Sequence, residues 1–315
     1  MNKKIVIALG GNALETKGKL PTSELEVKTI KKAVKKIVDI IECGNKVILV
    51  HGNGPQVGRI IIQNELASSI TPAMPFDVCD AMSQGMIGYH LAQSLRFELL
   101  KRDLKNDVST IITQIKVDKN DSGFKNPSKP VGPFFTKSES NKLKKTHPDY
   151  VIKQDSNRGF RRVVASPKPL EIIELNTIKT LFSKNNIIIT AGGGGIPVIE
   201  KKSKELVGMP AVIDKDFAAS LVAKSLNCDI LLILTAVDFV STNFGTTKQK
   251  NIQNITVSEL KLLIEENHFA SGSMLPKIKA AIEFVESKKG RTCIIGGLNK
   301  AKLCIDGRSG TTITQ

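Results

Sequence analysis

The run Ile5-Val-Ile-Ala-Leu9 is apolar at every position and breaks abruptly into Gly10-Gly11-Asn12. A strand that does not alternate apolar with polar residues has both of its faces buried, as in parallel sheets covered by helices on each side. The same event recurs: Lys46-Val-Ile-Leu-Val50 runs into His51-Gly-Asn-Gly-Pro-Gln-Val-Gly58, and Ile187-Ile-Ile-Thr190 into Ala191-Gly-Gly-Gly-Gly-Ile-Pro197. Ile230-Leu-Leu-Ile-Leu-Thr235 ends in Ala-Val-Asp238, and Arg291-Thr-Cys-Ile-Ile ends in Gly296-Gly297. Between the first two strands, Val27, Ile30, Val34, Ile37, Val38 and Ile41 step by three and four, which predicts a helix over 24–42 closed by Gly44-Asn45. Strand, helix and strand with a glycine turn after each strand is a βαβ unit. The expected fold is an α/β three-layer αβα sandwich with a mainly parallel central sheet.

The rest of the chain fits this plan with one exception. Ile87, Leu91, Leu95 and Leu99 predict a long helix over 80–104, and small residues in Ser83-Gln-Gly-Met-Ile-Gly88 suggest close packing there, as at a subunit contact. A third strand is expected over 107–117 and helices over 217–226 and 257–265, with a last one entered through Gly272-Ser-Met-Leu-Pro-Lys277. The exception is 118–168, which holds five prolines, little helical period, and twelve Lys/Arg against five Asp/Glu. We read it as a basic lid subdomain inserted into a single domain spanning 1–315, with Phe134, Phe135, Tyr150 and Phe160 as its apolar anchor.

Composition narrows the function. The formal charge of +16 is compatible with nucleic acid, yet Trp is absent, Tyr occurs twice, and no nucleic-acid module signature is present. Much of the lysine lies between the apolar positions of helices, which is the pattern of a solvated face. No apolar run approaches the roughly 20 residues that span a bilayer, and no signal-peptide pattern opens the chain. Five scattered cysteines read as reduced thiols, so the expected location is cytoplasmic.

If the strands are parallel, their glycine turns share one edge of the sheet, where ligands sit in such folds. Gly10 to Asn12, Gly52 to Gly54 and Gly192 to Gly195 are then candidate backbone donors. Lys215 and Lys277 stand at predicted helix starts, where the dipole already favours an anion. Asp214 and Asp216 flank Lys215 and either orient it or hold a metal. Donors, separated lysines and an aspartate suit phosphoryl transfer, which needs positioning and charge neutralisation more than a covalent nucleophile. Other chemistries fit less well: the spacing from Gly52 to Gly58 is not the dinucleotide fingerprint, and there is no GxxxxGK[ST] loop or GxSxG elbow. The four histidines lack metal spacing, and His51 beside Gly52 reads as structural.

These residues carry a family resemblance. Ile-Ala-Leu-Gly-Gly-Asn-Ala-Leu14, His51-Gly-Asn-Gly-Pro-Gln-Val-Gly, Met82-Ser-Gln-Gly-Met-Ile-Gly-Tyr, Lys129-Pro-Val-Gly-Pro-Phe-Phe, Ala211-Val-Ile-Asp-Lys-Asp and Ser273-Met-Leu-Pro-Lys277 resemble the motifs of carbamate kinases, members of the amino acid kinase fold family. The resemblance runs from about residue 5 to the C-terminus, and the 118–168 insert resembles the protruding subdomain of those enzymes. It implies reversible transfer between carbamoyl phosphate and ADP, giving ATP and carbamate, with Mg²⁺ as cofactor, in a homodimer serving fermentative arginine catabolism. By the same resemblance Gly10, Gly11 and Asn12 line the transferred phosphoryl group, and Gly52, Asn53 and Gly54 hold the carbamate. Lys215 and Lys277 neutralise phosphates, Asp216 orients them, and Lys129 reaches down from the lid. Asp214, Lys215, Ala236, Val237, Asp238, Met274 and Lys277 are the implied nucleotide contacts, and no residue is implied as a metal ligand. Two departures stand out: Ser241 follows Val237-Asp238 where an aromatic is usual, with an expected loss of base packing, and Asp80 stands where glycine is more usual. The alternatives are another kinase of this fold acting on a carboxylate, and a non-catalytic basic binding protein.

Overall fold

The computed structural model describes residues 2–11, 14, 22–155, 159–270 and 272–315. Asn12, an expected site residue, lies outside the described residues. The strands β1 (Lys4–Leu9), β2 (Lys46–His51), β3 (Val108–Thr110), β4 (Ile187–Ile189), β5 (Ile230–Thr235), β6 (Asn254–Thr256), β7 (Thr292–Gly297) and β8 (Thr311–Thr314) form one sheet. Their order is β6-β8-β7-β5-β1-β2-β4-β3. The six strands from β7 to β3 run parallel, with Ile5 opposite both Val47 and Ile230, while β8 runs antiparallel to β7.

Alternate residues of β1 enter two separate cores. Val6 and Ala8 join one that includes Ala219, Val222, Ala281 and Phe284, from the helices Lys215–Ser225 and Met274–Glu286. Ile5, Ile7 and Leu9 join the other, with Ile30, Ile37, Leu91 and Leu95 from the helices Ser23–Ile41 and Phe76–Lys101. Helices therefore cover both faces, which is why the strand shows no alternation. The first helix lies within a residue of its expected bounds, and Thr22 caps it by accepting from the Leu25 N–H.

Two expectations need correction. The strand expected over 107–117 is two strands. Val108–Thr110 belongs to the main sheet, and Gln114–Lys116 belongs to a separate four-stranded sheet with Ile196–Glu200, Leu206–Gly208 and Glu171–Ile172. Thr113 marks the transfer, its hydroxyl meeting the Ile111 carbonyl at 2.8 Å and Thr190 Oγ1 at 2.7 Å. The long helix begins at Phe76 rather than 80, directly after Pro75. Gly88 bears out the close packing expected there: a Cβ would come within 2.3 Å of Thr110 Cγ2, so this glycine lets the helix lie against β3.

The basic segment leaves after Lys116 and returns at Glu171, residues paired across the second sheet. Lys129–Phe135, Phe160–Val164 and Val151–Gln154 make an antiparallel sheet of three strands. Contrary to the weak periodicity, the segment also holds a helix, Lys137–Thr146, opened by a Thr136/Glu139 capping box. It docks on the helix Gly54–Leu66, where Gly58 faces Gly132 so closely that no Cβ would fit. Tyr150 donates to Glu65 Oε1, and the Arg162 guanidinium lies 3.5 Å from the Tyr150 ring centroid. Of the expected anchor residues, Phe135, Tyr150 and Phe160 are half-buried, while Phe134 is exposed.

Candidate active site

A cavity of about 450 Å³ opens at the C-terminal ends of β1, β2 and β5, where a parallel sheet places its ligands. Gly10, Gly11, Gly52, Asn53, Gly54, Lys129, Asp214, Lys215, Asp216, Ala236 and Lys277 all line it. Residues scattered over more than 260 positions are brought together by the sheet order, which sets β1 between β2 and β5.

The charged floor is built from two helix starts. Asp214 is the N-cap of the helix Lys215–Ser225 and accepts the Asp216 N–H at 2.9 Å. Lys215 and Asp216 follow in its first turn. Lys277 stands in the first turn of Met274–Glu286, packed beside the first helix. One carboxylate serves both lysines: Asp216 Oδ1 lies 2.6 Å from Lys215 Nζ, and Oδ2 lies 2.8 Å from Lys277 Nζ. Lys129 reaches in from the insert to Asp214 Oδ2 at 2.6 Å. Three cations against two anions leave one positive charge, at a place where two helix N-termini also point.

Burial sets the electrostatics. It pushes Asp216 upward, but Lys215 and Lys277 outweigh it and hold the carboxyl below its usual range. Asp214 is likewise raised by burial and brought down further by Lys129 and Lys215. Burial lowers Lys215, and the like charge of Lys277 adds to this against the pull of Asp216. For Lys277, burial is outweighed by Asp216 and the ammonium is raised. The two lysines share a carboxylate and still differ, because Lys215 is the more enclosed.

The glycine turns divide by what their missing side chains would meet. A Cβ on Gly10 would lie 3.0 Å from the Leu234 carbonyl, and one on Gly52 would lie 3.2 Å from Lys215 Cδ. These two make room for the neighbouring strand and for the lysine stem. Their N–H groups are taken up within the sheet, by Leu234 O and Leu9 O at 3.1 Å each. At Gly11 a Cβ meets nothing within 4 Å among the described residues, as at Gly272, which also lines the cavity, so of the turns that follow β1 and β2 this one is bare. In the run 192–195 only Gly193 lines the cavity, and the N–H groups of Gly194 and Gly195 bond to Ala191 O and Gly192 O. The run works as a folded wall more than as a donor array. Gly192 backs onto His51, whose Nδ1–H donates to the Gly52 carbonyl at 3.0 Å and whose pKa burial lowers to about 4.

Of the other nucleotide candidates, Val237, Asp238 and Met274 are not among the cavity walls. Asp238 pairs with Lys300 at 2.7 Å, and Met274 packs against the core. Ser241 also stands away from the walls. It sits in the hairpin formed by Val240–Thr242 and Lys250–Ile252 and donates to Asn251 Oδ1 at 2.8 Å. Gln56, Pro130, Thr235, Ser273 and Leu298 line the cavity without having been singled out in the sequence. Gln56 had a readable signal, two places after the glycine turn in the first turn of its helix.

The profile of the amino acid kinase family matches residues 3–296. The chain belongs to the amino acid kinase family. A carbamate kinase from Clostridium perfringens is 50% identical over 315 residues, covering 99% of this chain and 100% of that protein. The carbamate kinase-like protein YqeA of Escherichia coli is 48% identical over 320 residues and 100% of both chains. Among solved structures, carbamate kinase from Giardia lamblia bound to citric acid superposes with a TM-score of 0.94 at 42% identity, over 99% of this chain and 98% of that one. The same enzyme bound to AMP-PNP gives 0.91 at 42% identity over the same shares. This amino acid kinase is a phosphotransferase, and its lysine floor stands where that chemistry needs charge.

Proposed function

We propose that the protein is a carbamate kinase, moving a phosphoryl group between carbamoyl phosphate and ADP to give ATP and carbamate. The observation that carries this reading is the single buried carboxylate of Asp216 holding Lys215 and Lys277 beside the bare Gly11 turn, with Lys129 entering from the insert. The bond from phosphorus to the carbamoyl oxygen breaks, and one forms to a β-phosphate oxygen of ADP. Lys215 and Lys277 neutralise charge on the oxygens of the group in transit, and Asp216 fixes where they stand. Gly11 and Asn12 line that group, while Asn53 and Gly54 hold the carbamoyl end. The insert acts as a lid, its Lys129 swinging between Asp214 and the anionic substrate. Released carbamate decomposes to ammonia and carbon dioxide.

Mg²⁺ enters on the nucleotide phosphates. Asp214 and Asp216 are both occupied by lysines, and the described residues contain no cluster of three His, Cys, Asp or Glu able to cage an ion. That donor set does not fit a protein-held metal, and no step here passes through one. ATP formation in fermentative arginine catabolism is the proposed setting. Five unpaired cysteines support a reducing compartment, the cytoplasm, and no described helix is long and apolar enough to cross a membrane. A homodimer is proposed through the helix Phe76–Lys101, whose Val78, Met82 and Tyr89 form an exposed apolar stripe at helical spacing around Gly85.

The test is a coupled assay for ATP from carbamoyl phosphate, ADP and Mg²⁺, beside acetyl phosphate and acyl phosphates of amino acids. Preference for carbamoyl phosphate is expected. Turnover of an amino acid acyl phosphate alone would assign the site to a different kinase of this family.

A further inference from the structure

Asp80 is fully buried in the helix Phe76–Lys101, yet among the described residues it forms no ion pair and its Oδ2 has no partner. The nearby charge of Asp77 is a like one. A lone carboxyl in such a place is costly, and an apolar side chain would pack there more favourably. Its Oδ1 makes one contact, accepting from Asn53 Nδ2. Ser83 Oγ accepts the second hydrogen of the same amide at 2.8 Å, because its own proton goes to the Asp80 carbonyl at 2.7 Å. With two acceptors facing it, the amide can present only its NH₂ to this pair.

The consequence falls on the neighbouring helix. Asn53 is the N-cap of Gly54–Leu66, and asparagine is among the best residues at that position because its side chain accepts a first-turn N–H. Here it makes no such bond. The first-turn N–H groups of Gly54 and Gln56 have no partner within a helix, and both residues line the cavity. An Asn53 side chain that capped its own helix would accept the Gln56 N–H, Pro55 having none, and would compete with any anion there.

We infer that Asp80, assisted by Ser83, is a positioning residue that holds the Asn53 amide off its own helix start and so leaves the Gln56 N–H, beside that of Gly54, open to the substrate's carbamoyl oxygens. This rests on the carbamate kinase reading, and the wild-type rate with carbamoyl phosphate and ADP is therefore measured first. Its absence would remove that reading without touching the geometry. Given an active wild type, Asp80→Ala frees Asn53 to cap the helix and raises KM for carbamoyl phosphate about ten-fold, with KM for ADP unchanged. Melting temperature does not fall, since a cap is gained and a buried carboxyl lost. Ser83→Ala shifts KM in the same direction by about three-fold, and Asp80→Asn, which keeps the acceptor, restores KM to within about two-fold of wild type. An unchanged KM in Asp80→Ala would overturn the inference. So would equal rises in both KM values with a lower melting temperature, which is the mark of a merely structural residue.

Discussion

The two halves of the cavity are built on different principles. In the body, Asp216 has a side chain 2% exposed and holds lysines 11% and 16% exposed, all fixed by helix starts packed on the sheet. In the insert, Lys129 is 30% exposed and among the described residues meets a single partner, Asp214. Charges in the first group are desolvated and held in place before any ligand arrives, so they act strongly on a developing charge. The second is screened and delivered by a segment with its own small sheet. Body residues should therefore govern the rate of the chemical step, and insert residues the capture of substrate. Asp214 joins the halves, because it caps the helix that carries Lys215 and also docks Lys129.

The largest effect should come from Asp216→Asn. It leaves two buried ammonium groups facing each other, a loss of about 3–5 kcal/mol for a broken buried pair. Calorimetry should show melting lowered by roughly 5–10 °C, together with ATP formation down at least ~100-fold. Unchanged melting would mean that the body half is not organised by this carboxylate. Next is Gly11→Val. With open space at its Cβ, the variant should melt like the wild type while losing activity about 100-fold through displacement of the phosphoryl group. Gly194→Ala is its contrast: at φ +106° and 2.1 Å from the Ile213 carbonyl, the added methyl should lower stability and leave the folded fraction active. Full activity in Gly11→Val would return that turn to an ordinary bend.

Smaller effects probe the insert and the buried carboxyl. Lys129→Gln should raise KM for carbamoyl phosphate about five- to ten-fold, with a weaker dependence of KM on salt than the wild type shows; a fall in kcat alone would erase the contrast between the halves. Burial pushes the Asp80 carboxyl up to about 8, against the hydrogen bond from Asn53. It binds its proton more tightly folded than unfolded, so the wild type loses stability relative to Asp80→Asn as pH rises from about 4 to about 8. The melting difference in favour of the variant should widen across that window to ~2–5 °C and then level off; a constant difference would show that Asp80 is not the group titrating.

The body was legible because the central strands β1, β2, β4, β5 and β7 have apolar cores, and glycine turns mark the ends of all of these but β5. The residues that order the floor were legible from helix-start chemistry, as with Asp214, Lys215 and Asp216. What escaped was whatever depends on contacts across the fold. Ser109-Thr-Ile-Ile-Thr-Gln-Ile115 has the β-branched content of one continuous strand and no turn residue at its centre, so composition could not show that the chain changes sheets at Thr113. The pairing of Lys129 with Asp214, 85 residues apart, has no local signal. Gly10 and Gly11 look alike in sequence, yet one accommodates Leu234 and the other faces open space. Asp80 looked anomalous because its partner, Asn53, lies on another helix start 27 residues away. The helix Lys137–Thr146 did have a signal, the Thr136-to-Glu139 capping box, hidden among prolines and lysines.

A preorganised body lysine carries the rate. Its most direct measurement is the steady-state kcat for ATP formation by Lys215→Ala at saturating carbamoyl phosphate and ADP, on protein shown by circular dichroism to be folded. A fall of about 100- to 1,000-fold is expected, with KM for carbamoyl phosphate changed little. A kcat within a few-fold of wild type, with the loss confined to KM, would contradict it.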